Sequence, residues 1–200
     1  MNPKLLTTAG RTLGAAAALV LLAGTAEAHT GVGATSGFAA GLSHPIFGAD
    51  HLLVMVGVGL WAGLVGGRAL WAMPVAFVSA MLLGAGLGMA AIGLPGVELM
   101  IAGSVVALGA VLALRPQLPM ALAIAGIALA AIFHGHAHAM EMPATASGLA
   151  YFAGFTLATA GLHIAGLALG FGFRKVAGPM VVRAAGAAIA ATGLGLIFAG

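Results

Sequence analysis

The chain has 200 residues, 62% of them hydrophobic and only 6% charged, with four acids against seven bases. A soluble domain is roughly half apolar and about a quarter charged, so this chain cannot cover itself with a water-facing surface. The bases are scattered, which excludes a nucleic-acid footprint, and the absence of cysteine excludes disulfide frameworks, thiolate metal sites and thiol nucleophiles. The 33 glycines show no collagen period and suit closely packed membrane helices. The expected class is an all-α polytopic membrane bundle.

Residues 1–28 read as a secretory signal peptide. Lys4 and Arg11 form a positive start, Leu13 to Gly24 an apolar core, and Ala26-Glu27-Ala28 a small-x-small cleavage site. Cleavage leaves His29 as the first residue, outside the cytoplasm. Its exposed α-amine beside an imidazole makes it an additional candidate metal ligand.

Residues 29–200 are then one domain of six predicted membrane helices: 45–66, 69–92, 97–114, 118–138, 148–173 and 179–199. Each is close to the ~20 residues that cross the hydrocarbon of a bilayer. Arg68, Arg115, Arg174 and Lys175 occupy alternate loops, and Arg183 can snorkel to the same side. The opposite loops lack Lys and Arg and hold Glu98 and Glu141. The positive-inside rule makes the basic loops cytoplasmic and both mature termini periplasmic. Small residues four apart, at Gly59, Gly63 and Gly67, at Gly84 and Gly88, and at Gly166 and Gly170, read as packing ridges. Trp61 and Trp71 read as interfacial anchors.

The chemistry gathers in histidines. His44-Pro45 opens the first span, with Pro45 at the first helical position and His44 as its cap. His51, seven residues on, projects from nearly the same face, and Asp50 precedes it. Ionisable residues inside a membrane usually face a bundle interior or a water-filled path. At the end of the fourth span, His134, His138 and Glu141 fall on a stripe about 60° wide, and His136 points about 160° away from His138. Two imidazoles and a carboxylate on one stripe suit a borderline divalent cation such as Ni²⁺, Co²⁺, Zn²⁺ or Cu²⁺. His163 stands alone in the fifth span, either a helix–helix hydrogen-bonding residue or a further ligand. His29, His136 and His163 are the secondary candidates.

With these residues in place, the segment HPIFGADHLLVMVGVGLWA resembles the first signature of the HupE/UreJ family of nickel permeases and accessory proteins. FHGHAHAMEMP resembles the second, Phe-His-Gly-x-Ala-His-Gly-x-Glu, with Ala139 in place of the second glycine. The resemblance implies roles for His44, Asp50, His51, His134, His138 and Glu141, while His136 falls at a variable position. It also implies an association with hydrogenase or urease systems, and cobalt as the cargo of some members.

The sequence therefore leads to secondary uptake of Ni²⁺, or of Co²⁺, across a bacterial inner membrane. No permanent cofactor and no enzymatic activity are expected. The expected partners are the cation, the bilayer, metalloenzyme maturation proteins and a second copy of the chain. Two rivals are a membrane accessory protein that binds and delivers metal without transport, and a haem protein with two axial histidines.

Overall fold

The computed structural model describes residues 37–144, 146–176 and 178–199; the predicted signal segment and His29 lie outside them. Seven helices and no strand occur among the described residues: α1 (Gly37–Phe47), α2 (Ala49–Val65), α3 (Ala69–Met89), α4 (Val97–Leu114), α5 (Met120–Met140), α6 (Gly148–Val176) and α7 (Pro179–Ala199). Lipid offers backbone groups no hydrogen-bond partner, so each span must close its own ladder. Helices α3 to α7 are each long and apolar enough to cross a bilayer, and α1 with α2 makes a sixth, broken span bent by 79°. The chain is an all-α polytopic membrane bundle.

The break corrects the predicted first span. Pro45 lies inside α1 and His44 in its last turn, so His44 is not a helix cap and Pro45 does not start a helix. At Gly48 the backbone turns extended, with φ −79° and ψ 114°, and the ladder stops. Any residue can adopt those angles, so it is space that favours glycine here. A Cβ at Gly48 would stand 3.1 Å from His51 Nδ1 and 3.2 Å from Asp50 Oδ1. The other spans keep their places, with α3 ending at Met89, α5 shifted to Met120–Met140 and α6 extended to Val176.

The helices associate as three close pairs: α1 and α2 along α6, α3 along α5, and α4 along α7. Glycines let the backbones touch. A side chain at Gly41 would strike the Tyr151 carbonyl, one at Gly84 the Ile132 carbonyl and one at Gly135 the Met81 carbonyl. Gly63 and Gly170 face each other across α2 and α6, and Gly109 and Gly186 across α4 and α7. Ala139, the departure from the family signature, puts its methyl where Gly88 leaves room. Gly67 is the exception among the predicted ridges: it sits in the turn after α2, with φ 58° and nothing within 4 Å of its Cβ position.

Between pairs the contact is made by side chains, chiefly Val54, Met55, Val58, Met73, Phe77, Met81, Val105 and Leu108. The basic residues meet at one end of the bundle. Arg174 Nη1 lies 3.0 Å from the Cβ position of Gly66, and Arg115 lines a cavity with Trp61. Trp61 therefore turns inward, whereas Trp71, 62% exposed, suits an interfacial anchor.

Candidate metal centre

At the other end of the bundle the break in the first span brings two sets of residues face to face. Helix α1 carries His44 at its end, and the first turn of α2 carries Asp50 and His51. Helix α5 ends with His134, His138 and then Glu141 at its C-cap. Asp50 is the acid in the first turn of α2, where the helix dipole favours a carboxylate.

Four imidazoles form a contiguous chain across the boundary between the α1/α2/α6 group and the α3/α5 pair. Ring centroids are 4.7 Å apart for His44 and His138, 4.0 Å for His51 and His138, and 4.8 Å for His51 and His134. Exposure falls along this chain. The side chains of Glu141 and His44 are 47% and 24% exposed, His51 is 5% exposed, and His134 and His138 are fully buried. One donor atom each from His44, His138 and Glu141 lies within 4.8 Å of the others. The bend, not the helical period, is what joins His44 to His51, whose rings stand 6.2 Å apart.

Hydrogen bonds fix where the ring protons sit. Ser104 Oγ donates to the Ile101 carbonyl at 2.7 Å, so it accepts from His134 Nε2 at 2.9 Å and leaves Nδ1 bare. His51 Nδ1 donates to Asp50 Oδ1 at 2.6 Å, which leaves Nε2 bare. This carboxylate–imidazole arrangement is the one that orients metal-ligating histidines. His44 Nε2 donates to Glu141 Oε2 at 2.9 Å. His51 Nε2, His134 Nδ1 and both nitrogens of His138 are buried without a hydrogen-bond partner. An unsatisfied buried polar atom costs about 1–3 kcal/mol, and here four occur on three rings in mutual contact. A cation could take one bare nitrogen from a ring it meets.

His136 is not part of this group. It is buried on the opposite side of α5, where Nε2 donates to the Ile92 carbonyl at 3.0 Å, beyond the end of α3. His163 is also apart: Nδ1 donates to the Thr159 carbonyl at 2.8 Å, and its ring meets Phe77 at 5.0 Å. Phe77 in turn lies 6.1 Å from the His134 ring and forms an apolar floor between the two histidines.

Sequence reasoning missed Ser104, Phe77, Phe155 and Tyr151. Phe155 packs 3.9 Å from the His138 ring, and Tyr151 lies 6.2 Å from that of His44. Ser104 and Phe77 are lone residues in apolar helices, and Tyr151 and Phe155 share a face of α6 at a spacing that reads as ordinary packing. Only the packing of three separate helices, α3, α4 and α6, against the histidines shows them.

The family profile described as HupE / UreJ protein matches residues 17–196. The chain is also similar to "Protein HupE" of Rhizobium leguminosarum bv. viciae, 42% identical over 180 residues that cover 90% of this chain and 94% of that one. No solved structure matches. A profile match over nearly the whole chain, the curated relative and a polytopic helical fold agree, and the chain belongs to the HupE/UreJ family.

Proposed function

We propose that the protein takes up a divalent transition-metal cation, with Ni²⁺ as first substrate and Co²⁺ as second, across the bacterial inner membrane. One observation carries this reading. Four imidazoles, three of them with bare, buried nitrogens, lie between two carboxylates, and the groups are divided between two separately packed helix assemblies. Neutral imidazole is a good ligand for nickel, cobalt, zinc and copper. Asp50 and Glu141 offset the charge of a cation that has lost part of its water shell. The C-terminal end of α1 adds backbone carbonyls at a broken helix, a common device for holding cations in transporters. Ring separations of 4.0 to 4.8 Å leave no slot for a porphyrin between the histidines.

The basic loops orient the cluster toward the periplasm. A cation would meet Glu141 and His44 first, pass to His138 and His51, and reach His134 above the Phe77 floor. Sliding of the α3/α5 pair against the α1/α2/α6 group would pull the two ligand sets apart and free the ion inward. Binding shared over many weak partners permits that release. Supply of metal to hydrogenase or urease maturation follows from the family resemblance and completes the proposal.

The test is flux into proteoliposomes holding the purified protein, with Ni²⁺, Co²⁺, Zn²⁺ and Cu²⁺ offered separately, with and without a pH gradient. Saturable Ni²⁺ entry is expected. Tight Ni²⁺ binding without entry would replace transport by metal delivery, and no interaction with any of the four ions would remove the metal reading.

A further inference from the structure

The mouth of the cluster contains a polar group that the protein itself leaves unanswered. Tyr151, in the first turn of α6, is fully buried, and its hydroxyl has no hydrogen-bond partner. Its ring stacks at 7° and 6.4 Å on Phe155, which covers His138, and stands 6.2 Å from His44. The other aromatics of this shell, Phe77, Phe152 and Phe155, are all phenylalanines. Packing therefore calls for a ring at position 151, and it does not call for an oxygen. Without a partner that oxygen costs stability.

We propose that Tyr151 is a seventh residue of the cation site, and that its hydroxyl receives a hydrogen bond from a water molecule coordinated to the ion. The proposal rests on the reading of His44, His138 and Glu141 as the entry ligands. Three protein donors leave a divalent transition ion with water in its remaining positions. A coordinated water is a strong donor, and on the buried side of the site, where Tyr151 and Phe155 pack beside His138, it needs an acceptor. The Tyr151 hydroxyl has no partner, and its ring stands 6.2 Å from that of His44. Groups that hold a metal's outer shell typically contribute 10- to 100-fold in affinity. Because the water shell differs between ions, Tyr151 would also favour a cation that keeps part of its water over one that sheds it.

Tyr151→Phe tests this with one atom removed and the ring kept. The full chain in lipid nanodiscs is titrated with Ni²⁺, and its thermal unfolding is followed with and without the ion. The ion-free Tm is expected to stay level or rise, because an unsatisfied hydroxyl is gone. The Kd for Ni²⁺ should weaken about tenfold, and the Ni²⁺-induced rise in Tm should shrink. A Kd within twofold of wild type overturns the role of Tyr151, whatever the ion-free Tm does. His138→Ala separates the two levels of the argument. If wild type and His138→Ala bind Ni²⁺ equally, the entry site itself is misread and Tyr151 falls with it. If only His138→Ala loses binding, the entry site stands and the Tyr151 proposal alone is wrong.

Discussion

The rings of His51 and His138 lie 4.0 Å apart at 63°, although their helices, α2 and α5, hardly approach each other through their backbones. Each helix is bound closely to another partner, α2 to α6 and α5 to α3. The two imidazoles thus meet across a joint in the molecule. Bare nitrogens on both sides of a joint are what a cation can bridge when present and release when the joint opens.

Ligands and bystanders separate by substitution. His138→Ala and His134→Ala each remove a donor that the remaining groups cannot replace, and His51→Ala should act alike. Asp50→Asn removes both the anionic charge and the orienting partner of His51. Each should lower Ni²⁺ affinity or uptake at least tenfold, about 1.4 kcal/mol, at equal membrane abundance. His136→Ala should stay within about twofold, since its ring faces Ile92 and not the cluster. Loss in His136→Ala with silence in the other four would contradict the assignment.

Much of this was legible in the chain. Apolar runs gave the spans, and the i, i+4 spacing with Glu141 three residues on gave the α5 stripe. The break was not legible. Pro45 reads as a helix start, because proline fits the first turn of a helix, whereas here it sits near the end of α1. What glycine supplies at the break is room: the Asp50–His51 pair, two and three residues on, fills the space beside Gly48. Ser104 is a lone hydroxyl in an apolar helix, and its role becomes visible only through His134.

Two glycines on α5 test the close pairing. Gly135→Ala would drive a methyl into the Met81 backbone and should cost about 1–3 kcal/mol or more. Gly126 has nothing within 4 Å of its Cβ position, so Gly126→Ala should raise stability by about 0.5–1 kcal/mol through helix propensity. Thermal unfolding in one detergent compares them. Equal effects would mean that α3 and α5 are not held by backbone contact.

Motion at the joint is accessible because the chain has no cysteine. Met81 on α3 and Thr159 on α6 approach to 3.7 Å across it. A Met81→Cys, Thr159→Cys pair bridged by dibromobimane should bind Ni²⁺ near the wild-type Kd and carry at least tenfold less flux than the same variant unbridged. Undiminished flux would show that the two assemblies need not move apart.

The basic loops predict the orientation. A reporter active only outside the cytoplasm should work when fused after Gly200 and fail when fused at Arg115. The reverse pattern would put the histidine cluster on the cytoplasmic side and turn the proposed direction of entry around.

The most direct measurement is X-ray absorption at the nickel edge on the purified full chain loaded with one equivalent of Ni²⁺. The account predicts at least two imidazole ligands, one fewer in His44→Ala and one fewer in His138→Ala, with His136→Ala identical to wild type. A shell of oxygen alone, or an imidazole count that neither His44→Ala nor His138→Ala changes, would contradict it.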